Sequence, residues 1–231
     1  MSDPAVATLL ADPATVPAWM QPLIHRYRSG PVPLLADRGF RPGTQTQRRS
    51  AVLMLLGEGP SGPDLLLTQR AAGMRTHSGQ PAFPGGAVDV GEDAVMAALR
   101  EGQEETGLDP AGVTPAMVLP ELFLAASGFV VEPVLAYWHR PGPIRSVNAA
   151  ETVSVARVPI AELADPANRV QVRIRHYTGP GFVVAGMTVW GFTGALVDSV
   201  LDMGGWAVPW STDRVIDIEQ NPALGITRST R

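Results

Sequence analysis

From Arg49 onward the apolar positions fall into short dense runs separated by glycine and proline. SAVLMLL, the turn GEGPSGP and then DLLLTQR form two such runs, and the spacing predicts a hairpin of two strands. Further apolar runs predict strands at Glu121–Ala125 with the following SGFVV, at Val134–Trp138 and at Thr152–Val158. The alternation in VRIRHYTGPGFVVAGMTVWGF predicts another hairpin. Helical spacing appears at Val16–Tyr27, at Asp93–Thr106, in a short piece within PIAELADP, and at Gly194–Met203, which is expected to be an amphipathic closing helix. Strands mixed with a few helices predict an α+β chain built as an α/β/α sandwich on a mixed β-sheet. The expected organisation is an N-terminal arm over 1–45, one domain over 46–210 and a tail over 211–231.

Two segments depart from ordinary patterning. AAGMRTHSGQPAFPGGAVDVGE, before the helix at Asp93–Thr106, is rich in glycine and exceeds the ~12–15 residues beyond which a structureless loop usually has a function. The helix itself ends in REGQEETG. Steps of 100° gather Val95, Ala98, Leu99, Gly102 and Thr106 on one stripe and Ala97, Glu101, Glu104 and Glu105 on another, which is expected to face outward or into a cleft. Glu101 faces both Glu104 and Glu105, and each like-charge pair costs about 0.2–0.5 kcal/mol. Carboxylates near the C′ glycine Gly107 also sit at the negative end of the helix. Gly102 lies in the docking stripe, where a close approach by a neighbouring element explains a residue of low helix propensity.

The chain has 231 residues, 45% of them hydrophobic, enough for a sizeable core. Its net charge of −4 and the lack of a long basic run argue against a nucleic-acid surface, while a local anion pocket stays open. Every formal cation besides histidine is arginine, a side chain able to fork onto phosphate. Cysteine is absent, which excludes disulfides, thiolate metal sites and a cysteine nucleophile and fits a reducing compartment. No signal-peptide pattern or apolar run of ~20 residues occurs, so the expectation is a cytoplasmic protein without a membrane partner. A homodimer stands open as an assembly.

Counted from Gly86, the stretch reads G-x5-E-x7-R-E-G-x-E-E-x-G-L through Glu92, Arg100, Glu101, Glu104, Glu105, Gly107 and Leu108. This resembles the Nudix hydrolases, whose box is G-x5-E-x7-R-E-U-x-E-E-x-G-U with U a bulky aliphatic residue; only Gly102, at the first U, departs from it. The resemblance implies a Nudix-type α/β/α sandwich and hydrolysis of a nucleoside diphosphate linked to another group. The glutamate cluster supports it independently, since hard divalent cations such as Mg²⁺, with Mn²⁺ as the alternative, take oxygen ligands and relieve the repulsion. The resemblance implies Glu101 and Glu105 as metal ligands and Glu104 as a third, directly or through water. It implies an orienting ion pair between Arg100 and Glu92. Gly85 and Gly86 let the backbone approach the cluster, where a main-chain carbonyl is a further ligand candidate.

Upstream, LLTQRAAGMRTHSGQPAFPGG carries Leu66, Leu67, Thr68, Arg70, Ala71, Arg75, Gly79, Phe83, Pro84, Gly85 and Gly86. These positions resemble the signature of the coenzyme A pyrophosphatase branch, L-L-T-x-R-[SA]-x3-R-x3-G-x3-F-P-G-G. The resemblance implies that CoA or acyl-CoA is cleaved to 4′-phosphopantetheine and adenosine 3′,5′-bisphosphate. Arg70 and Arg75 suit its phosphates, His77 is a further donor, and Gln80 is a weaker polar candidate. Glu151, in the polar stretch NAAETVS, is the loop candidate for general base; Glu121 and Glu132 are expected to be structural. The competing expectations are a Nudix pyrophosphatase for ADP-ribose or NADH and a non-catalytic CoA-binding module.

Overall fold

The structure, a computed structural model, describes residues 7–29, 48–72, 79–124, 128–175 and 177–221. Its first elements are β1 (Thr8–Leu9) and α1 (Gln21–Arg28). The helix begins later than the Val16–Tyr27 pattern because Pro22 sits in its first turn, where the missing N–H costs nothing; a start at Val16 would bury that proline in the helix interior. The expected hairpin forms as β2 (Arg48–Gly59) and β3 (Gly62–Arg70), in register from Leu56↔Leu65 to Gly59↔Gly62. The glycine-rich loop contributes two short strands, β4 (Pro81–Ala82) on β3 and β5 (Gly85–Ala87) on β2. Then follow α2 (Ala94–Thr106), β6 (Val113–Val118), β7 (Leu122–Leu124), β8 (Phe129–Trp138), β9 (Thr152–Pro159) and α3 (Ile160–Ala164). The chain goes on through β10 (Arg169–Ile174), β11 (Tyr177–Val184), β12 (Met187–Val189), α4 (Gly191–Gly204) and β13 (Val215–Asp217).

Among the described residues the larger sheet runs β1-β6-β8-β2-β3-β4, with β5 on β2, β7 on β8 and β9 on β3. It is mixed: β2 and β8 pair in parallel from Arg48↔Phe129 to Gly57↔Trp138, and the other pairs are antiparallel. The second sheet runs β12-β11-β10-β13, with β13 parallel to β10. β1, β6 and β13 were not expected from the sequence. Pro115 interrupts β6 and sits at its register shift against β8, the kind of irregularity where a strand tolerates proline.

The central strands bury both faces, each with its own alternate set of side chains. Ala51, Leu53, Leu55, Leu66, Val134, Ala136 and Trp138 meet Ala94, Ala97 and Ala98 of α2. Met54, Leu56, Leu65, Leu67 and Leu135 point the other way and join the core that includes Leu23, Ile24 and Tyr27 of α1, Leu163 of α3 and Leu196 of α4. The result is the α/β/α layering expected, with the small alanines letting α2 lie close to the sheet.

Two expectations about the helices change. Ala97 and Glu105, assigned by angular spacing to the acidic stripe, are buried together with Ala98, Gly102 and Thr106, so the docking face is rotated toward them. The closing helix is not amphipathic: α4 buries Thr193 through Val197 and Ser199 through Leu201, being covered by α1 on one side and β11 on another. Tyr27 and Ser199 share a buried hydrogen bond of 2.9 Å, and Arg26 Nη1 donates to the Asp202 carbonyl at 2.6 Å. From the N-terminal segment, Val16, Met20, Leu23, Ile24 and Tyr27 belong to the core. Buried Arg169 stacks over Phe182 at 4.4 Å and Trp210 at 4.5 Å and pairs with Asp198, which fastens the stretch after α4 to the second sheet. No helix among the described residues is long and apolar enough to cross a membrane.

The close approach expected at Gly102 is provided by Leu53. A Cβ at Gly102 would lie 2.8 Å from Leu53 Cδ2 and 3.3 Å from Leu108 Cδ2. Gly102→Leu, which restores the aliphatic residue of the box, is expected to lower stability by about 1–3 kcal/mol through overpacking. Adding Leu53→Ala should recover part of that loss. Urea unfolding of both variants measures it, and a Gly102→Leu protein as stable as the parent contradicts the packing.

Candidate active site

The helix α2 is fixed at both ends by its own sequence. Asp93 caps it, accepting from Met96 N at 2.8 Å, and Gly107 ends it in the left-handed conformation at φ 69°. Arg100 then ties its exposed side to the preceding loop. Its Nε and Nη2 donate to the two oxygens of Glu92 at 2.9 and 3.0 Å, a forked pair, and Nη2 also donates to the Ala87 carbonyl at 3.0 Å. Its Nη1 donates to Glu101 at 2.9 Å and Glu104 at 3.2 Å. The forked bond from Arg100 holds the Glu92 carboxyl below the usual carboxylate range.

The three box glutamates differ in surroundings. Glu104 is 59% exposed and contacts Arg100 at the rim. Glu101 lies across the Gly86 backbone so closely that a Cβ on Gly86 would collide with its carboxylate, while a Cβ on Gly85 would collide with the Ala51 carbonyl and Val52. Both glycines are thus required by close contacts, one with the site and one with β2. Glu105 is buried, at 5% exposure, and Arg70 Nη1 stands 3.5 Å from its Oε1, while its Oε2 is buried without a hydrogen-bond partner. Burial pushes Glu105 up to about 7, with Arg70 opposing and Glu101 and Glu151 adding to the rise. Burial also raises Glu101, against the opposing effect of Arg100 and reinforced by Glu104 and Glu151.

Arg70 reaches Glu105 from the end of β3, where the register against β9 shifts between Gln69 and Arg70. The shift pairs Arg70 with Thr152, which is fully buried with an unpartnered hydroxyl, and places Glu151 beside Ala71, whose N–H donates to the Glu151 carbonyl at 2.7 Å. The structure therefore brings together Arg70, Gly86, Glu101 and Glu105, with Arg100 and Glu104 at the rim and the Glu151 backbone at the end of β3 beside Arg70. Arg75 and His77 lie outside the described residues. Gln80 accepts from Arg70 N through its carbonyl at 3.1 Å. Glu132 pairs with Arg49. In the sequence Thr152 shows itself only as the first residue of a predicted strand, directly after Glu151.

Among the described residues no group of three His, Asp or Glu side chains is set to hold a metal ion, because Arg100 draws Glu101 and Glu104 toward itself while Glu105 faces Arg70. The donors nevertheless fit a hard divalent cation. They are oxygens only, and the buried unpartnered Oε2 of Glu105 is an acceptor that the protein leaves for a ligand.

A Nudix domain model matches residues 46–177 of the chain, more than half its length. The chain belongs to the Nudix family. Two relatives are uncharacterized Nudix hydrolases named NudL. The one from Cronobacter sakazakii is 43% identical over 117 residues, covering 50% of this chain and 59% of the relative. The one from Salmonella newport is 42% identical over 120 residues, covering 52% of this chain and 61% of the relative. The chain thus spans about three fifths of the length of these relatives. In fold, it is similar to the crystal structure of RenU, a Nudix hydrolase from M. smegmatis, with TM-score 0.51, 19% identity, and coverage of 71% of this chain and 90% of that one. That likeness supports the mixed-sheet Nudix fold alone.

A carboxyl raised from 4.5 to about 7 favours folding when protonated; this contribution is complete below the unfolded value and lost as pH rises through about 7. In the presence of a chelator, Glu105→Gln is expected to be more stable than the parent by about 1–3 kcal/mol at pH 8, and the two should converge at pH 4. Urea unfolding at both pH values checks this. A variant less stable than the parent at pH 8 would mean that the charge is well accommodated in the fold.

Proposed function

We propose that this protein is a divalent-metal-dependent hydrolase of the pyrophosphate bond of CoA or acyl-CoA, releasing 4′-phosphopantetheine and adenosine 3′,5′-bisphosphate. The observation that carries the reading is the meeting of two motifs: Arg70, from the stretch resembling the CoA pyrophosphatase signature, stands 3.5 Å from Glu105 of the Nudix box. An anion-gripping side chain and a cation-gripping one at a single point suit a phosphoanhydride held between guanidinium and metal.

Glu101 and Glu105 would hold Mg²⁺ or Mn²⁺, with Glu104 contributing from the rim. The cation supplies charge neutralisation and in-line orientation to phosphoryl transfer. Arg70 grips a phosphate oxygen of the substrate, and Arg75 and His77 are further donors proposed for its phosphates. Arg100 orients, through its fork to Glu92, the loop that bears Gly86. Glu151 takes a proton from the attacking water as its oxygen bonds to phosphorus. The bridging P–O bond breaks, and its electrons leave with the departing phosphate. No covalent intermediate with the protein is required.

Incubation of the protein with CoA, ADP-ribose and NADH, each with Mg²⁺ and again with excess chelator, tests the reading by mass spectrometry of the products. CoA is expected to be cleaved most efficiently, to the two products named, and only with metal. Glu105→Gln should reduce turnover by about 100-fold or more. Equal or better cleavage of ADP-ribose or NADH overturns the substrate, and binding of CoA without cleavage overturns the activity.

A further inference from the structure

The segment between β8 and β9 is joined to the catalytic helix and to β3 by backbone bonds. Arg145 N donates to the Thr106 carbonyl at 2.9 Å and Val147 N to the Glu105 carbonyl at 3.3 Å, so this segment satisfies two of the carbonyls that a helix leaves open at its C-terminus. The chain then reverses around Asn148. The Asn148 carbonyl accepts from Glu151 N at 3.0 Å and Thr152 N at 2.9 Å, and its side-chain Oδ1 accepts from Ala150 N at 3.0 Å. An asparagine that bonds the backbone two residues on is a turn former by its own chemistry. Ser146 Oγ donates to the Thr152 carbonyl across the same turn, and Ala71 N holds the Glu151 carbonyl from the end of β3.

Glu151 is therefore gripped from two directions, by the segment that ends α2 and by the residue that follows Arg70. Its neighbour Thr152 pairs with Arg70, whose Nη1 stands 3.5 Å from Glu105 Oε1, and the same segment bonds the Glu105 carbonyl through Val147 N, so Glu151 sits at the end of the sheet where the glutamates lie. A general base has to stay within hydrogen-bond reach of the proton it removes, and an exposed loop secures that only if its backbone is fixed. Asn148 is exposed and takes no part in the hydrophobic clusters, so its side chain serves the turn and not the core.

We propose that Asn148 is a positioning residue of the active site, closing the turn that presents the Glu151 carboxylate to the reaction centre at the C-terminal end of α2. The proposal rests on the assignment of Glu151 as general base. It makes that base a built-in part of the site, set in place by Asn148 before substrate arrives. The substitution Asn148→Asp keeps an acceptor oxygen for Ala150 N, whereas Asn148→Ala removes it.

Asn148→Ala, Asn148→Asp and Glu151→Gln are compared by two measurements. Amide hydrogen exchange, read by NMR without metal or substrate, should show faster exchange at Ala150, Glu151, Thr152 and Ala71 in Asn148→Ala and near-parent rates in Asn148→Asp. Steady-state kinetics with Mg²⁺, on whichever of CoA, ADP-ribose and NADH the parent cleaves, should show kcat lower by about 10- to 100-fold in Asn148→Ala with KM little changed. Asn148→Asp should restore kcat, and Asn148→Ala should add no further loss in a Glu151→Gln background. Full kcat in Asn148→Ala beside a crippled Glu151→Gln overturns the positioning role alone, as does unchanged exchange. Full kcat in Glu151→Gln overturns the assignment of the base and this inference with it. A parent that cleaves none of the three diphosphates removes the functional reading and the inference together.

Discussion

A carboxylate sunk at the C-terminal end of a helix is the constraint around which this molecule is arranged. Glu105 is buried where the helix α2 already presents its negative pole, and one of its oxygens has no partner. Left alone, such a group would shed its charge or destabilise the fold, and burial does move it up to about 7. Arg70 offsets part of the cost from 3.5 Å away. A fold that retains this feature has given up stability at one point, which is where proteins keep groups that act on ligands.

The rest of the architecture serves to hold that helix end in place. Alanines at 94, 97 and 98 bring α2 against the sheet, and Gly102 lets Leu53 approach its backbone. The Arg100 fork onto Glu92 draws the glycine-rich loop back along the helix, so that Gly86 passes beneath Glu101. The register shift at the end of β3 delivers Arg70 to Glu105, and the segment after β8 closes the helix terminus while carrying Glu151. Four separate stretches of chain thus converge on the last two turns of one helix. On the opposite face of the sheet, α1, α3 and α4 form a larger apolar core that contributes no residue to the site.

The sequence was most informative where local chemistry decides structure. Asp93 and Gly107 bound the helix, the GEGPSGP turn sets the hairpin, and the Nudix spacing picks out the glutamates by position alone. It was least informative where long-range packing decides. Nothing local separates Glu105 from Glu104, adjacent residues on one acidic stripe, yet the first is buried and the second is 59% exposed. Angular spacing placed Ala97 and Glu105 on the stripe expected to face outward or into a cleft, and it takes no account of how close the sheet lies. Pro115 hid β6, and β1 and β13 are too short to announce themselves. Asn148 carried a turn signal that needed the positions of Thr106 and Ala71 to acquire a purpose.

The central claim is that Glu105 completes a site for a hard divalent cation. Mn²⁺ uptake by the protein and by Glu105→Gln, followed by electron paramagnetic resonance of the free ion, tests it most directly. The account predicts saturable binding by the parent that is weakened at least about tenfold in the variant. Absence of binding by the parent in the presence of CoA, or equal binding by both proteins, would contradict it.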